Sequence, residues 1–371
     1  MSVFRVGLKK IVDDSYDIEI GTGLAAALVK DLKNGLVPGV SRYAVVTDSN
    51  VAPLYGEAIC QGLREAGLSA ELFTIPAGEQ SKVRAVKEQL EDALLEKGFR
   101  RDSCVVAVGG GVVSDLAGFM AGTFGRGVPF LNFATTLLAA ADASVGGKTA
   151  VDTPLATNLI GLIYQPKKVY IDIEAWKTLP HRQMVSGMAE TIKHACMADV
   201  AFFSFLEQNM EAIYAFDPDA CLHVAETNAR IKYQVVMQDE RETGMREILN
   251  LGHTVGRALE TASGYSLLHG EAVAVGLVAQ TKLGVRYGFM TQEEAERVEV
   301  LLMKAGLPVR LPQGMDVEKL VRKLYTDKKV RAGHLRFVFQ KGIGDMMTFG
   351  ENSYARPVSE EDARAVLEDL R

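Results

Sequence analysis

An α/β domain built on a mostly parallel, Rossmann-like sheet, followed by a mainly α-helical domain, is the fold class this sequence predicts. Three observations predict it. Short β-rich runs alternate with helical periods through the first half, they nearly vanish after residue 178, and 371 residues at 48% hydrophobic content suffice for two cores. The predicted domains are therefore residues 1–178 and 179–371.

Taken in order, "YAVVTD" (43–48) reads as a strand, a helix follows near 51–66, "AELFTI" (70–75) is the next strand, and a helix near 81–97 leads to "SCVVAV" (103–108). A glycine turn opens the helix of "GGGVVSDLAGFMAG", and "PFLNFA" (129–134) and "KVYIDI" (168–173) complete the series. Alternation of this kind needs crossover helices on both faces of a parallel sheet. Beyond it, amphipathic segments at 182–196, 199–214, 217–237, 244–262, 269–287, 292–305 and 316–326 predict helices punctuated by Gly, Pro or Asp. One late run, "LRFVFQ" (335–340), reads as a strand within or returning from the helical half.

Composition narrows the function. A net charge of -6 with no basic run argues against nucleic acid as a partner, although anionic small molecules stay open where basic side chains converge. The opening "MSVFRVGLKKIVDDSYDIEIG" lacks the apolar core of a signal peptide and no run of 18 apolar residues occurs, so a cytoplasmic protein without a membrane partner is expected. Cys60, Cys104, Cys196 and Cys221 stand far apart with no C-x-x-C pair. Buried free thiols are expected.

The nucleotide signal lies in "SCVVAVGGGVVSDLAG", a strand, a glycine triplet and a helix start whose amides suit a pyrophosphate. Ser114 replaces the third glycine of G-x-G-x-x-G and no acidic residue follows at the usual distance, so a tight turn without ligand remains the alternative reading. Asp48 closes a strand where it serves as ribose acceptor or as helix cap. Glu79 and Lys82 in "GEQSK" read alone as capping. "SVGGKTA" is no Walker A loop, because Asp142 stands where that motif needs glycine, yet Lys148 suits a phosphate or carboxylate.

Three residues have the chemistry of metal ligands: Glu190 in "SGMAETIKHA", His253 in "REILNLGHTVGRALE" and His269 in "LLHGEAVAVG". In the second of these blocks Arg246, Asn250, His253 and Arg257 fall within an arc of roughly 60° on one helix. Periodicity alone favours a solvated face there. Glu190 and Lys193 also fit a plain ion pair, and Lys148, Lys193, Lys232, Arg246 and Lys328 form an anion pocket only if they converge.

Taken together, "GGGVVSDLAGFMAGTFGRG", "TTLLAAADASVGGKTAVDTPLATNLIG", "YQPKKVYIDIEAWKTLP", "GMAETIKHA", "DERETGMREILNLGHTVGRALE", "LLHGEAVAVG" and "DKKVRAGHLRFVF" resemble, in order and spacing, the 3-dehydroquinate synthase family of the sugar phosphate cyclases. The resemblance spans nearly the whole chain. It implies an NAD-binding domain, a helical metal-binding domain and a cleft between them, in a homodimer. Metal ligands, for zinc or cobalt, are then Glu190, His253 and His269. NAD contacts are Asp48, Glu79, Lys82, Gly110, Gly111, Asp115, Thr135, Thr136, Lys148 and Thr178. Substrate contacts are Asp142, Lys148, Asn158, Lys193, Lys232, Arg246, Asn250 and Lys328, with Arg126 reaching the substrate phosphate of a neighbouring subunit.

The implied reaction turns an anionic sugar phosphate, 3-deoxy-D-arabino-heptulosonate 7-phosphate, into 3-dehydroquinate and phosphate. Its stages are transient oxidation by NAD, phosphate elimination, reduction, ring opening and intramolecular aldol closure. That is a phosphorus–oxygen lyase of the shikimate pathway. Two positions depart from the family pattern. Thr157 stands where a lysine is usual, and Arg257 where a second histidine is usual; Arg257 is expected to bind phosphate and to replace part of the missing charge, but not to act as a base. The alternatives are a cyclase for another seven-carbon sugar phosphate and a metal-dependent polyol dehydrogenase.

Overall fold

Val, Ile, Ala and Phe runs, buried on both faces, form the strands of one parallel sheet. In chain order the elements of this half are β1 (Asp17–Gly21), α1 (Leu24–Lys33), β2 (Arg42–Asp48), α2 (Glu57–Glu65), β3 (Ala70–Ile75), α3 (Arg84–Glu96), β4 (Ser103–Gly109), α4 (Gly111–Thr123) and β5 (Phe130–Ala134). A hairpin, β6 (Lys148–Thr153) and β7 (Ala156–Ile163), precedes β8 (Lys168–Asp172). The sheet order is β1-β8-β5-β4-β2-β3, and every pairing is parallel. All of this is taken from a computed structural model that describes residue 5 and residues 12–264, 266–325, 334–351 and 353–371.

The helical half comprises α5 (His181–Ala198), α6 (Val200–Tyr214), α7 (Pro218–Gln238), α8 (His253–Ala262), α9 (His269–Arg286), α10 (Gln292–Lys304), α11 (Val317–Leu324) and α12 (Glu360–Asp369). An antiparallel pair, β9 (Leu335–Val338) and β10 (Ala355–Val358), closes it. Both halves share apolar packing: Ala134, Val169, Ile171 and Trp176 lie in one cluster with Met188, Ile192, Leu251 and Val273. So large a common core holds the sheet edge and the helices in fixed relation. Among the described residues no helix is long and apolar enough to cross a membrane. The four cysteines are buried free thiols, as their spacing suggests.

Three sequence expectations need correction. The helix expected over 244–262 is two pieces, a 3-10 turn at Met245–Asn250 and then α8, with Gly252 between them at φ 77. That backbone is left-handed, and a Cβ there would lie 2.9 Å from Leu277 and 3.0 Å from the Val273 carbonyl. The solvated face expected for that stripe is also wrong: Arg246 is 0% exposed, Asn250 4% and His253 6%, with Arg257 half-buried. Finally β1, α1, the β6–β7 hairpin, β10 and α12 have no counterpart in the sequence reading.

Candidate active site

Glu190 sits in mid-α5, fully buried, and its two oxygens face different neighbours. Oε1 lies 3.4 Å from Nε2 of His253 and 3.4 Å from Nε2 of His269, with no hydrogen-bond donor, while Oε2 is ion-paired with Lys193. A buried carboxylate oxygen without a donor is costly unless something cationic fills the gap. One carboxylate and two imidazole nitrogens, all within 4.8 Å of one another, suit a divalent ion. The donor set therefore fits the metal.

Local structure explains this convergence. Gly252 ends the 3-10 turn, so His253 becomes the first residue of α8 and points across to α5. Gly270 lets α9 approach α5 so closely that a Cβ would fall 1.8 Å from the Ser186 carbonyl, which brings His269 against Glu190 one turn further along. Each ring has its own backing: His253 Nδ1 meets the Leu251 carbonyl at 3.1 Å, and His269 Nδ1 meets Glu260 Oε1 at 3.3 Å. Burial, with Lys193 and Arg257 beside it, pushes His253 well below its usual pKa despite Glu190. For His269 burial also opposes the charge, but Glu260 and Glu190 outweigh it and raise the ring to about 10. Burial would raise the Glu190 carboxyl, yet Lys193 and His253 hold it well below the carboxylate range.

Cations cluster next to the triad. Lys193 donates to the Leu249 carbonyl at 3.0 Å and lies 3.9 Å from Asp142, which also pairs with Lys232. Arg246 reaches the Gly146 carbonyl at 2.8 Å and the Glu240 carbonyl. Asn250 and Lys148 are joined by Glu242, whose Oε1 accepts from Asn250 at 2.6 Å and whose Oε2 pairs with Lys148 at 2.7 Å. Arg257 donates to Asn250 Oδ1 at 3.4 Å. Burial lowers the Lys232 pKa, with Lys193 and Arg246 working in the same direction against Asp142.

The remaining sequence candidates lie along the carboxyl edge of the sheet. From β2 the chain runs outward to β3, then crosses to β4 on the other side of β2, which makes the β2–β4 gap a topological switch point. Such gaps are where open α/β sheets bind nucleotides. Asp48 ends β2, its Oδ1 capping the amides of Asn50 and Val51, and Gly110 and Gly111 follow β4 at the start of α4. Thr135 is hydrogen-bonded to Gly109 through its amide, Thr136 caps Ala139, and the exposed Thr178 meets Tyr55 at 2.9 Å. Lys82 pairs with Glu79 at 2.9 Å and with Asp115 at 3.2 Å, while Asp152 is close enough to act on both. With three carboxylates around one ammonium, burial raises Asp115 to about 6 although Lys82 opposes it, and Lys82 holds Glu79 low against burial. The fit to a dinucleotide is chemical as well as topological: amides for pyrophosphate, carboxylates for ribose hydroxyls.

Two predicted contacts stand apart. Asn158 is exposed on β7 at φ 55, its amide bonded to Asp152, and Arg126 is exposed at φ 70 beyond the C-terminus of α4. Thirteen helical residues put Arg126 roughly 20 Å from the glycine turn of its own chain. Lys328 lies outside the described residues. Glu242, Glu260 and Asp152 belong to the site but were not singled out by the sequence; each is an ordinary acidic residue whose role depends on what folding sets beside it.

Residues 72–186 match the model of the 3-dehydroquinate synthase N-terminal region and residues 187–330 that of the C-terminal region. The 3-dehydroquinate synthase of Desulforamulus reducens is 45% identical over 87% of this chain and 89% of its own length. The chain belongs to the 3-dehydroquinate synthase family. That of Pelobacter propionicus is 44% identical over 93% of this chain and 95% of its own. Among solved structures, 2-epi-5-epi-valiolone synthase from Streptomyces hygroscopicus subsp. jinggangensis, with NAD+ and Zn2+ bound, superposes with TM-score 0.86 at 28% identity and covers 99% of each chain.

Proposed function

We propose that this member of the 3-dehydroquinate synthase family catalyses that reaction itself, converting 3-deoxy-D-arabino-heptulosonate 7-phosphate to 3-dehydroquinate and phosphate. The observation that carries it is the abutment of the Glu190, His253 and His269 triad on Lys193, Lys232 and Arg246, beside a nucleotide-type sheet edge. On this reading residues 1–178 bind NAD and residues 179–371 bind metal and substrate. When bound, NAD supplies a recoverable hydride acceptor, and a zinc or cobalt ion on the triad supplies Lewis acidity.

The chain's own residues do the rest. Asp48, Glu79 and Asp115 accept from ribose hydroxyls, and the amides of Gly110 and Gly111 hold pyrophosphate, with Lys82, Thr135, Thr136 and Thr178 lining the path. Lys193, Lys232 and Arg246 draw in the substrate carboxylate and hydroxyls, and Asp142 keeps the two ammoniums in register. Lys148, Asn250 and Arg257 take the phosphate, so charge leaving with it is met by cations already in place. Arg257 binds without exchanging protons, which leaves the elimination to a base other than residue 257. Enclosure by these residues then holds the ring-opened enol for aldol closure.

Arg126 supports a homodimer: at roughly 20 Å from the glycine turn of its own chain it is better placed to serve a partner's site. The reading makes the enzyme a phosphorus–oxygen lyase of aromatic biosynthesis, working in the cytoplasm. Its test is a phosphate-release assay on the heptulosonate phosphate. Release without net NADH formation, lost on chelation and restored by zinc or cobalt, is expected. Sustained NADH accumulation would instead identify a dehydrogenase, and turnover of a different sugar phosphate alone would identify another cyclase.

A further inference from the structure

The two histidines of the triad are backed by unlike groups. His253 Nδ1 meets a main-chain carbonyl, whereas His269 Nδ1 meets the carboxylate of Glu260, whose side chain is 13% exposed. Glu260 stands two turns after His253 on α8, so the helix that carries one candidate ligand also carries the group that backs the other. Asp152, from the β6–β7 hairpin, repels Glu260, while Glu79 and Glu190 face the His269 ring from the other elements packed against it. Glu260 Oε1 lies 3.3 Å from Nδ1 of His269, on the opposite side of the ring from the nitrogen that faces Glu190.

We infer that Glu260 is a positioning residue for the metal. It accepts from Nδ1–H of His269, fixes the tautomer that leaves Nε2 free toward Glu190 Oε1, and turns the ring into the stronger donor of the pair. His269 needs this more than His253 does, because its side chain is 30% exposed against 7% for His253, so packing restrains it less. Glu260 thereby acts on binding through His269, without touching substrate or cofactor.

The inference rests on the triad being the metal site, and its test separates the two. Zinc affinity is measured on the full-length protein by competition with a chromophoric chelator, for the unchanged chain, Glu260→Gln, Glu260→Asp and His269→Ala. Glu260→Gln is expected to weaken binding about 10- to 100-fold, with Glu260→Asp in between, at unchanged metal-free thermal stability. His269→Ala with unaltered affinity would refute the triad itself. His269→Ala weakened but Glu260→Gln unaltered would refute only the role of Glu260, as would a Glu260→Gln loss confined to thermal stability. Nitrogen NMR of the zinc-loaded unchanged protein decides without a variant: a proton on Nδ1 of His269 supports the inference, and one on Nε2 overturns it.

Discussion

Two charge clusters adjoin in this molecule, and their balances are opposite. Around Lys82 one ammonium meets Glu79, Asp115 and Asp152, whereas around Asp142 two ammoniums, Lys193 and Lys232, converge with Arg246 close by. They are near enough for Asp142 to raise Asp115 and for His269 to lower Glu79. The first suits neutral hydroxyl donors, the second an anion. In a protein with net charge -6, what suits the second cluster to an anion is not the overall field but a local excess of cations placed inside the fold.

The largest effect should come from unbalancing the cationic side. Lys232→Met leaves Asp142 short of its closest partner and is expected to cost about 3–5 kcal/mol in denaturant unfolding. A loss under 1 kcal/mol would mean that Lys193 alone neutralises Asp142.

The acid-rich side makes a pH prediction. Asp115 is raised in the folded chain from 3.8 to about 6, so the stability it contributes is fully present below 3.8 and is lost as pH rises through about 6. Asp115→Asn removes that dependence, worth on the order of 3 kcal/mol, and flattens the stability profile over this range. Parallel profiles for the two proteins would contradict burial as the cause of the raised Asp115 pKa.

The smallest effect concerns Arg257, beside Asn250. Arg257→His should lower kcat/KM about 10-fold by removing a permanent charge, and adding Thr157→Lys should recover part of it. A single variant more active than the unchanged chain would show that Arg257 does not replace the missing lysine.

Much of the fold was legible because period and punctuation are local properties. The five strands named from β-branched runs appear within a residue or so of their expected bounds. The N-terminal strand Asp17–Gly21 was missed because its alternating acids mask an edge strand, and the β6–β7 hairpin because its turn reads as loop. The break at Gly252 does not show in the helical period of 244–262, since only the packing of Leu277 and the Val273 carbonyl makes left-handed backbone necessary there. The site was legible through its blocks and not through its geometry. Glu190 with Lys193 fits a plain ion pair in sequence; their burial, and the two rings beyond them, are tertiary facts.

One carboxylate divided between two histidines and a lysine has a thermodynamic consequence. A divalent cation held by the triad would compete for the negative charge of Glu190 that otherwise neutralises Lys193. Loading the triad would therefore sharpen the attraction of Lys193 for an anionic ligand, and reciprocity would require that ligand to tighten the hold on the ion by the same factor. A chelator should then strip the resting protein more readily than the protein at work.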